Sequence, residues 1–389
     1  MKKTLKYLLL IFIGLNLLII LSGKSWLYKA VSITYAKGYN SSYVHDYIHF
    51  PFNKIEEGEH QEWLISSKYN KAKLPSFIKE LNDSLQTTAF IVIQNDSILF
   101  EEYWHEYSSD SLSNSFSMAK SWVATLIGIA IKEGKIKDVN QKVCDFLPQF
   151  CGQKDLTIEH LLTMSSGLNW EESYYNPIGQ TAEAYYGTNL KQLVTNLKVV
   201  EEPGVVFKYH SSCTQLLSYV LEAATKKTIS EYISEKLWQP MGAKHAALWN
   251  TDTKNGDEKA FCCINSNARD FARLGKLYLD YGSWDGVQLV DTSFIVKASS
   301  AADLLNEKGL KNSNYGYQFW IAERQGLNLF YARGLWGQYV ICVPDLDIIV
   351  IRLGRKYGAR LKDGHYHDFY KFVDGVLEMY HLSPEKYNL

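Results

Sequence analysis

The chain has 389 residues, 46% hydrophobic and 21% charged. That is enough apolar material to bury a sizeable core and too much for a disordered chain. Its 41 basic and 42 acidic residues leave a net charge of −1, so no basic surplus points to nucleic acid and no acidic surplus to a solvating tail.

The chain opens on Met1-Lys2-Lys3 and Lys6, followed by Tyr7 to Leu21, apolar apart from Gly14 and Asn16. A basic start before a short apolar run reads as an export segment. The run is short against the ~20 residues of a spanning helix, and Ser22-Gly23-Lys24 is a poor cleavage site. Residues 1–23 are therefore either a cleaved signal peptide or an N-terminal membrane anchor, attached through residues 7–21. Both outcomes place the rest of the chain outside the cytoplasm, periplasmic or membrane-anchored. Residues 24–84 read as a lead-in, aromatic and weakly periodic, with no chemistry in them. Residues 85–389 form the main domain.

In that domain Ala89 to Ile93 is a buried strand, Asn95-Asp96 a turn and Ser97 to Glu102 its return, a β-hairpin. Lys120 to Glu133 is a helix apolar on nearly every side, hence central, and Gly134 ends it. Further helices start at Thr157 (capped there or at Asp155) and run over Gln215–Ala224, Ile229–Leu237 and Asp270–Tyr281. Strands return at Asn328–Ala332, Gly337–Val343 and Ile348–Leu353, before a last helix from about Tyr366 to Tyr380. Strands at both ends with helices between predict an α/β (α+β) fold: an antiparallel sheet from chain-distant halves, flanked by helices, with an all-helical insertion.

Cys144 and Cys151 bracket a short loop and could pair in an oxidising compartment. Cys262-Cys263, Cys213 and Cys342 read as buried thiols acting as small hydrophobes. No C-x-x-C or H-E-x-x-H is present, so no metal is expected.

Ser117-Met118-Ala119-Lys120 is the centre of the chemistry. Positions three apart share a helix face, and a lysine whose pKa is lowered by burial can take the serine proton. Ser-x-x-Lys occurs three times, at Ser76, Ser117 and Ser383; only Lys120 opens a helix too apolar to offer its charge a solvent route. Tyr209 in Tyr209-His210-Ser211 is a candidate acid or base, with Ser211 alternatively an N-cap. Gly334-Leu335-Trp336-Gly337 can bring backbone close to a substrate and supply an oxyanion N–H beside that of Ser117. Trp170, Tyr174 and Tyr175 are candidates for a substrate wall, whereas His365 and His367 read as structural.

Together these stretches resemble the serine beta-lactamase and penicillin-binding protein superfamily, in its class C and esterase branch. Leu161 to Leu168 (LLTMSSGL) is similar to that family's LLTHTSGL, Pro203-Gly204 with Tyr209 to its PG…YSN, Pro240-Met241-Gly242 to its PLGM turn, and Asn267 to Gly275 to its ttarDlaRfG. Tyr315 to Trp320 and Gly337-Gln338 resemble the 6-aminohexanoate-dimer hydrolase group. The resemblance implies an acyl-enzyme on Ser117, proton transfer by Lys120 and Tyr209, and an oxyanion hole at Ser117 and Leu335, with no cofactor. Two departures stand out: Tyr-x-Asn is Tyr-His-Ser, and Lys-Thr-Gly aligns with Ala332-Arg333-Gly334, where Arg333 is expected to face away from the cleft. They favour a hydrolase of small amides, short peptides or esters over a D-alanyl carboxypeptidase or weak beta-lactamase, and over a catalytically silent binding domain.

Overall fold

The computed structural model describes residues 2–382. Its main sheet has seven strands: β1 (Leu64–Ile65), β2 (Thr87–Gln94), β3 (Ser97–Tyr103), β4 (Trp320–Arg324), β5 (Leu327–Gly334), β6 (Gln338–Val343) and β7 (Ile348–Gly354). The helices that matter here are α1 (Lys2–Leu21), α2 (Trp26–Ile33), α3 (Ser76–Ser84), α4 (Ala119–Lys132), α5 (Ser211–Thr225), α6 (Ala268–Leu279) and α7 (His367–Met379). The strands lie in the order β4-β5-β6-β7-β2-β3-β1. All pairs are antiparallel except β1 on β3, which is parallel. The β2–β3 hairpin turns on Asn95 and Asp96, both at positive φ, as a tight two-residue turn requires. β7 pairs with β2 and so joins the two ends of the domain.

Side-chain parity sorts the layers. Ile349 of β7 meets α6 at Gly275, where a Cβ would come within 2.8 Å of Ile349 Cγ2. Arg352, of opposite parity on the same strand, lies under Phe372 of α7. The sheet is thus covered by α6 on one face and α7 on the other. α4 is buried over twelve residues, Ala119 to Ala130, and packs on α5 and the helical region. That region also holds Ile158–Leu162, Gln180–Tyr186 and Ile229–Ile233, with Thr157 as N-cap in a capping box with His160.

A second sheet was not foreseen. It pairs Phe52–Ile55, Ala247–Asn250, Ile264–Ser266 and Ser113–Asn114 in that order. The lead-in is built into the fold through this sheet, β1, α2 and α3. α1 is exposed; Lys3 to Leu21 has a mean hydropathy of 2.3 and is long and apolar enough to cross a membrane. Cys144 is bonded to Cys151. Cys262 and Cys263 are also bonded to each other, which corrects their reading as separate thiols. Cys263 adopts a φ of +76°, a turn in the chain that periodicity does not reveal. Cys213 and Cys342 are buried and free.

Candidate active site

Ser117 sits in a single 3₁₀ turn, Phe116–Met118, that leads into α4. The turn is held on both sides. Ser115 N–H donates to Ile264 O at 2.7 Å and Ser115 Oγ accepts from Ile264 N–H at 3.1 Å. Phe116 has a φ of +43°, a strained value for an aromatic residue. Its N–H donates to the Asn114 side chain at 2.9 Å, which helps to fix it there.

Lys120, one turn on, is fully buried. Its Nζ lies 3.0 Å from Ser117 Oγ and 2.6 Å from the Phe261 carbonyl oxygen. Burial pulls its pKa down to about 8, against the opposing pull of the Glu172 charge. The alternative Ser-x-x-Lys at Ser76 and Lys79 is exposed on α3, and Ser383 to Lys386 lies outside the described residues.

Tyr209 follows the short strand Val206–Phe207. Its ring lies 5.2 Å from Lys120 Nζ, stacks on Trp320 at 5.5 Å and meets Tyr315 edge-on at 5.9 Å. Burial and the Glu172 charge raise its pKa, partly offset by a hydrogen bond with Ser117 and by the field of Arg333. Tyr209 is therefore a neutral phenol. Arg333 caps Trp320 at 3.4 Å and Tyr366 at 5.0 Å, and donates to Gly364 O. Its charge is felt at both Tyr209 and Tyr174.

Glu172 was not singled out from sequence. Its carboxylate accepts from Trp170 Nε1 at 2.7 Å, Tyr174 OH at 2.8 Å, Ser211 N–H at 2.7 Å and Ser211 Oγ at 2.8 Å. Ser211 is thus the first residue of α5, not its N-cap, and its hydroxyl serves Glu172. Trp170 is buried in the same cluster, its indole N–H spent on Glu172. The acidic pair Glu171-Glu172 after the Ser-Gly-Leu turn was the available signal.

Ser117, Ser211, Leu335, Tyr174 and Tyr175 share a cavity of about 370 Å³, within the range of small-molecule sites. Tyr175 stands at its mouth, 93% exposed. At Gly334 a Cβ would meet Ser115 O at 2.0 Å, so the close approach seen there is to the turn that holds Ser117. Arg352, buried behind Leu335-Trp336-Gly337, donates to Trp336 O at 2.8 Å and Gly337 O at 2.9 Å. It also reaches Lys356 O and Leu85 O. His365 bonds Tyr331 OH at 2.6 Å, as a structural histidine.

A buried lysine on a serine hydroxyl, in a strained turn between a helix and a glycine strand, defines a fold family. The beta-lactamase family matches residues 74–366, and the chain belongs to it. A 6-aminohexanoate-dimer hydrolase of Paenarthrobacter ureafaciens is 25% identical over 300 residues, 72% of this chain and 75% of that protein. Among solved structures, a Bacillus anthracis protein described as a 6-aminohexanoate-dimer hydrolase superposes with a TM-score of 0.75 at 21% identity, covering 88% of this chain and 94% of that one. A family VIII carboxylesterase gives 0.63 at 16% identity, over 82% and 99%. These likenesses establish the beta-lactamase fold in a family whose members include amide and ester hydrolases.

Proposed function

We propose that this protein is an exported serine hydrolase that cleaves small amides, short peptides or esters through an acyl-enzyme on Ser117. The contact of Lys120 Nζ with Ser117 Oγ at 3.0 Å carries the reading. With Lys120 neutral, Ser117 Oγ adds to the substrate carbonyl carbon as its proton passes to Nζ. The oxyanion is received by the N–H groups of Ser117 and Leu335, two residues that line one cavity. Collapse breaks the bond to the leaving amine or alcohol, which takes a proton from Tyr209 OH; Lys120 then reprotonates the phenolate. Water enters by the reverse sequence and releases the acid. Tyr209 is suited to the acid role because burial keeps it protonated. Lys120 is suited to the base role because burial brings its pKa within reach of neutral.

A fluorophosphonate probe tests this: labelling of the wild type that is lost in Ser117→Ala supports it, and a label that persists in Ser117→Ala refutes it. The apolar α1 and the Cys144–Cys151 bond support placement outside the cytoplasm.

A further inference from the structure

One wall of the cavity at Ser117 comes from outside the family-matched segment. Leu27, Ala30 and Val31 of α2, with Tyr35 beyond, line it together with Tyr174 and Pro177. None of the residues lining this cavity is Asp, Glu, Lys or Arg. The charged groups that border it are Lys120, 3.0 Å from Ser117 Oγ, and Glu172, which holds Ser211 and Tyr174; against α2, an ammonium or carboxylate would lose its water with no counter-charge among the lining residues. The nearby Glu172 carboxylate already accepts four hydrogen bonds.

The surroundings extend the same character. α2 follows α1 after a short link, and Lys24 in that link donates to Ile178 O at 2.9 Å, tying it to the loop at the cavity mouth. Val31, Tyr35, Tyr175 and Ile178 leave 49%, 60%, 93% and 53% of their surfaces exposed. An apolar and aromatic rim beside a helix able to span a bilayer has the composition of a membrane-interface surface.

Resting on the serine hydrolase reading, we infer that the acyl half of the substrate is an uncharged aliphatic chain laid against α2. The ester or amide carbonyl would sit at Ser117 and the chain would run between α2 and Tyr174. The chain forms an ester bond to Ser117 Oγ as the alcohol or amine leaves with a proton. Water then cleaves that ester to give the free carboxylic acid and restore the serine. The acyl chain could come from a bilayer amphiphile or from a soluble ester.

The test uses the full-length chain in detergent, with p-nitrophenyl acetate, butyrate and octanoate, and an amide bearing an ammonium and a carboxylate end. Each buried methylene adds to binding, so kcat/KM is expected to rise about tenfold or more from acetate to octanoate. Val31→Asp, at a half-exposed position, should lower octanoate turnover at least tenfold more than acetate turnover; Ala30→Trp, which fills the same wall, should do likewise. Equal turnover of acetate and octanoate, or preference for the doubly charged amide, overturns the inference while fluorophosphonate labelling of Ser117 remains intact. Loss of that labelling would instead bring down the hydrolase reading beneath it. A palmitoyl ester in phosphatidylcholine vesicles identifies the source: faster turnover than free octanoate assigns the chain to a bilayer amphiphile, slower turnover to soluble esters, and both support the inference.

Discussion

Gly334 and Ser115 are in backbone contact so close that a methyl group on Gly334 would lie 2.0 Å from the Ser115 carbonyl oxygen. The strand that borders the proposed oxyanion site and the turn that presents Ser117 are therefore set against each other without an intervening side chain. Gly334→Ala should separate them. Overpacking of this kind costs about 1–3 kcal/mol, read as a lower unfolding midpoint. Turnover should fall by about a hundredfold or more, the usual cost of losing an oxyanion donor. Retention of wild-type kcat in a folded Gly334→Ala would show that the contact is not needed for catalysis.

Lys120 has its pKa lowered to about 8 by burial. With the neutral amine as base in the proposed mechanism, the acylation rate should rise about tenfold per pH unit below that value and level off above it. Stopped-flow acylation between pH 6 and 9.5 measures this. Lys120→Met should remove the slope and lower the rate by about 10²–10⁴.

The Glu172 charge raises the pKa of both Lys120 and Tyr209. Glu172→Gln keeps a hydrogen-bond acceptor for Ser211 and removes that charge. The midpoint of the pH–rate profile should move to lower pH, because the protonated amine loses an attractive partner. A merely structural Glu172 would leave the midpoint in place and change only stability.

Cys144 and Cys151 close a loop with a sequence separation of seven. Chain-entropy arguments give such a short loop about 2–3 kcal/mol. The Cys144→Ser, Cys151→Ser double variant should unfold at lower denaturant by that amount and keep Ser117 labelling, since the loop does not line the active-site cavity.

What sequence revealed and what it hid follow from range. Ser117 with Lys120, the β2–β3 hairpin and the buried α4 are local patterns, legible in windows of a few residues. Glu172 was hidden because Glu171 beside it is equally acidic but exposed; only the folded loop decides which carboxylate meets Ser211. The second sheet was hidden because its strands are two to four residues long and one of them is Ser113-Asn114. The place of α2 at the cavity depends on residues about 150 positions further along the chain, from Leu27 to Tyr174 and Pro177, which periodicity cannot register. The Trp170 contact with Glu172 was hidden for a related reason: an aromatic near a cleft reads alike whether it meets a ligand or a carboxylate.

Arg352 spends its guanidinium on carbonyl oxygens, those of Trp336, Gly337, Lys356 and Leu85 among them, with its pKa lowered to about 10 by burial. A peptide whose oxygen is anchored from behind cannot rotate to present that oxygen to the cleft. The loop beside Leu335 is therefore held in one orientation of its dipoles, so that in the proposed reaction it has no rearrangement to make when charge develops. The molecule places a permanent positive charge out of solvent to hold that loop fixed, and the same arginine couples the chain before β2 to the chain after β7.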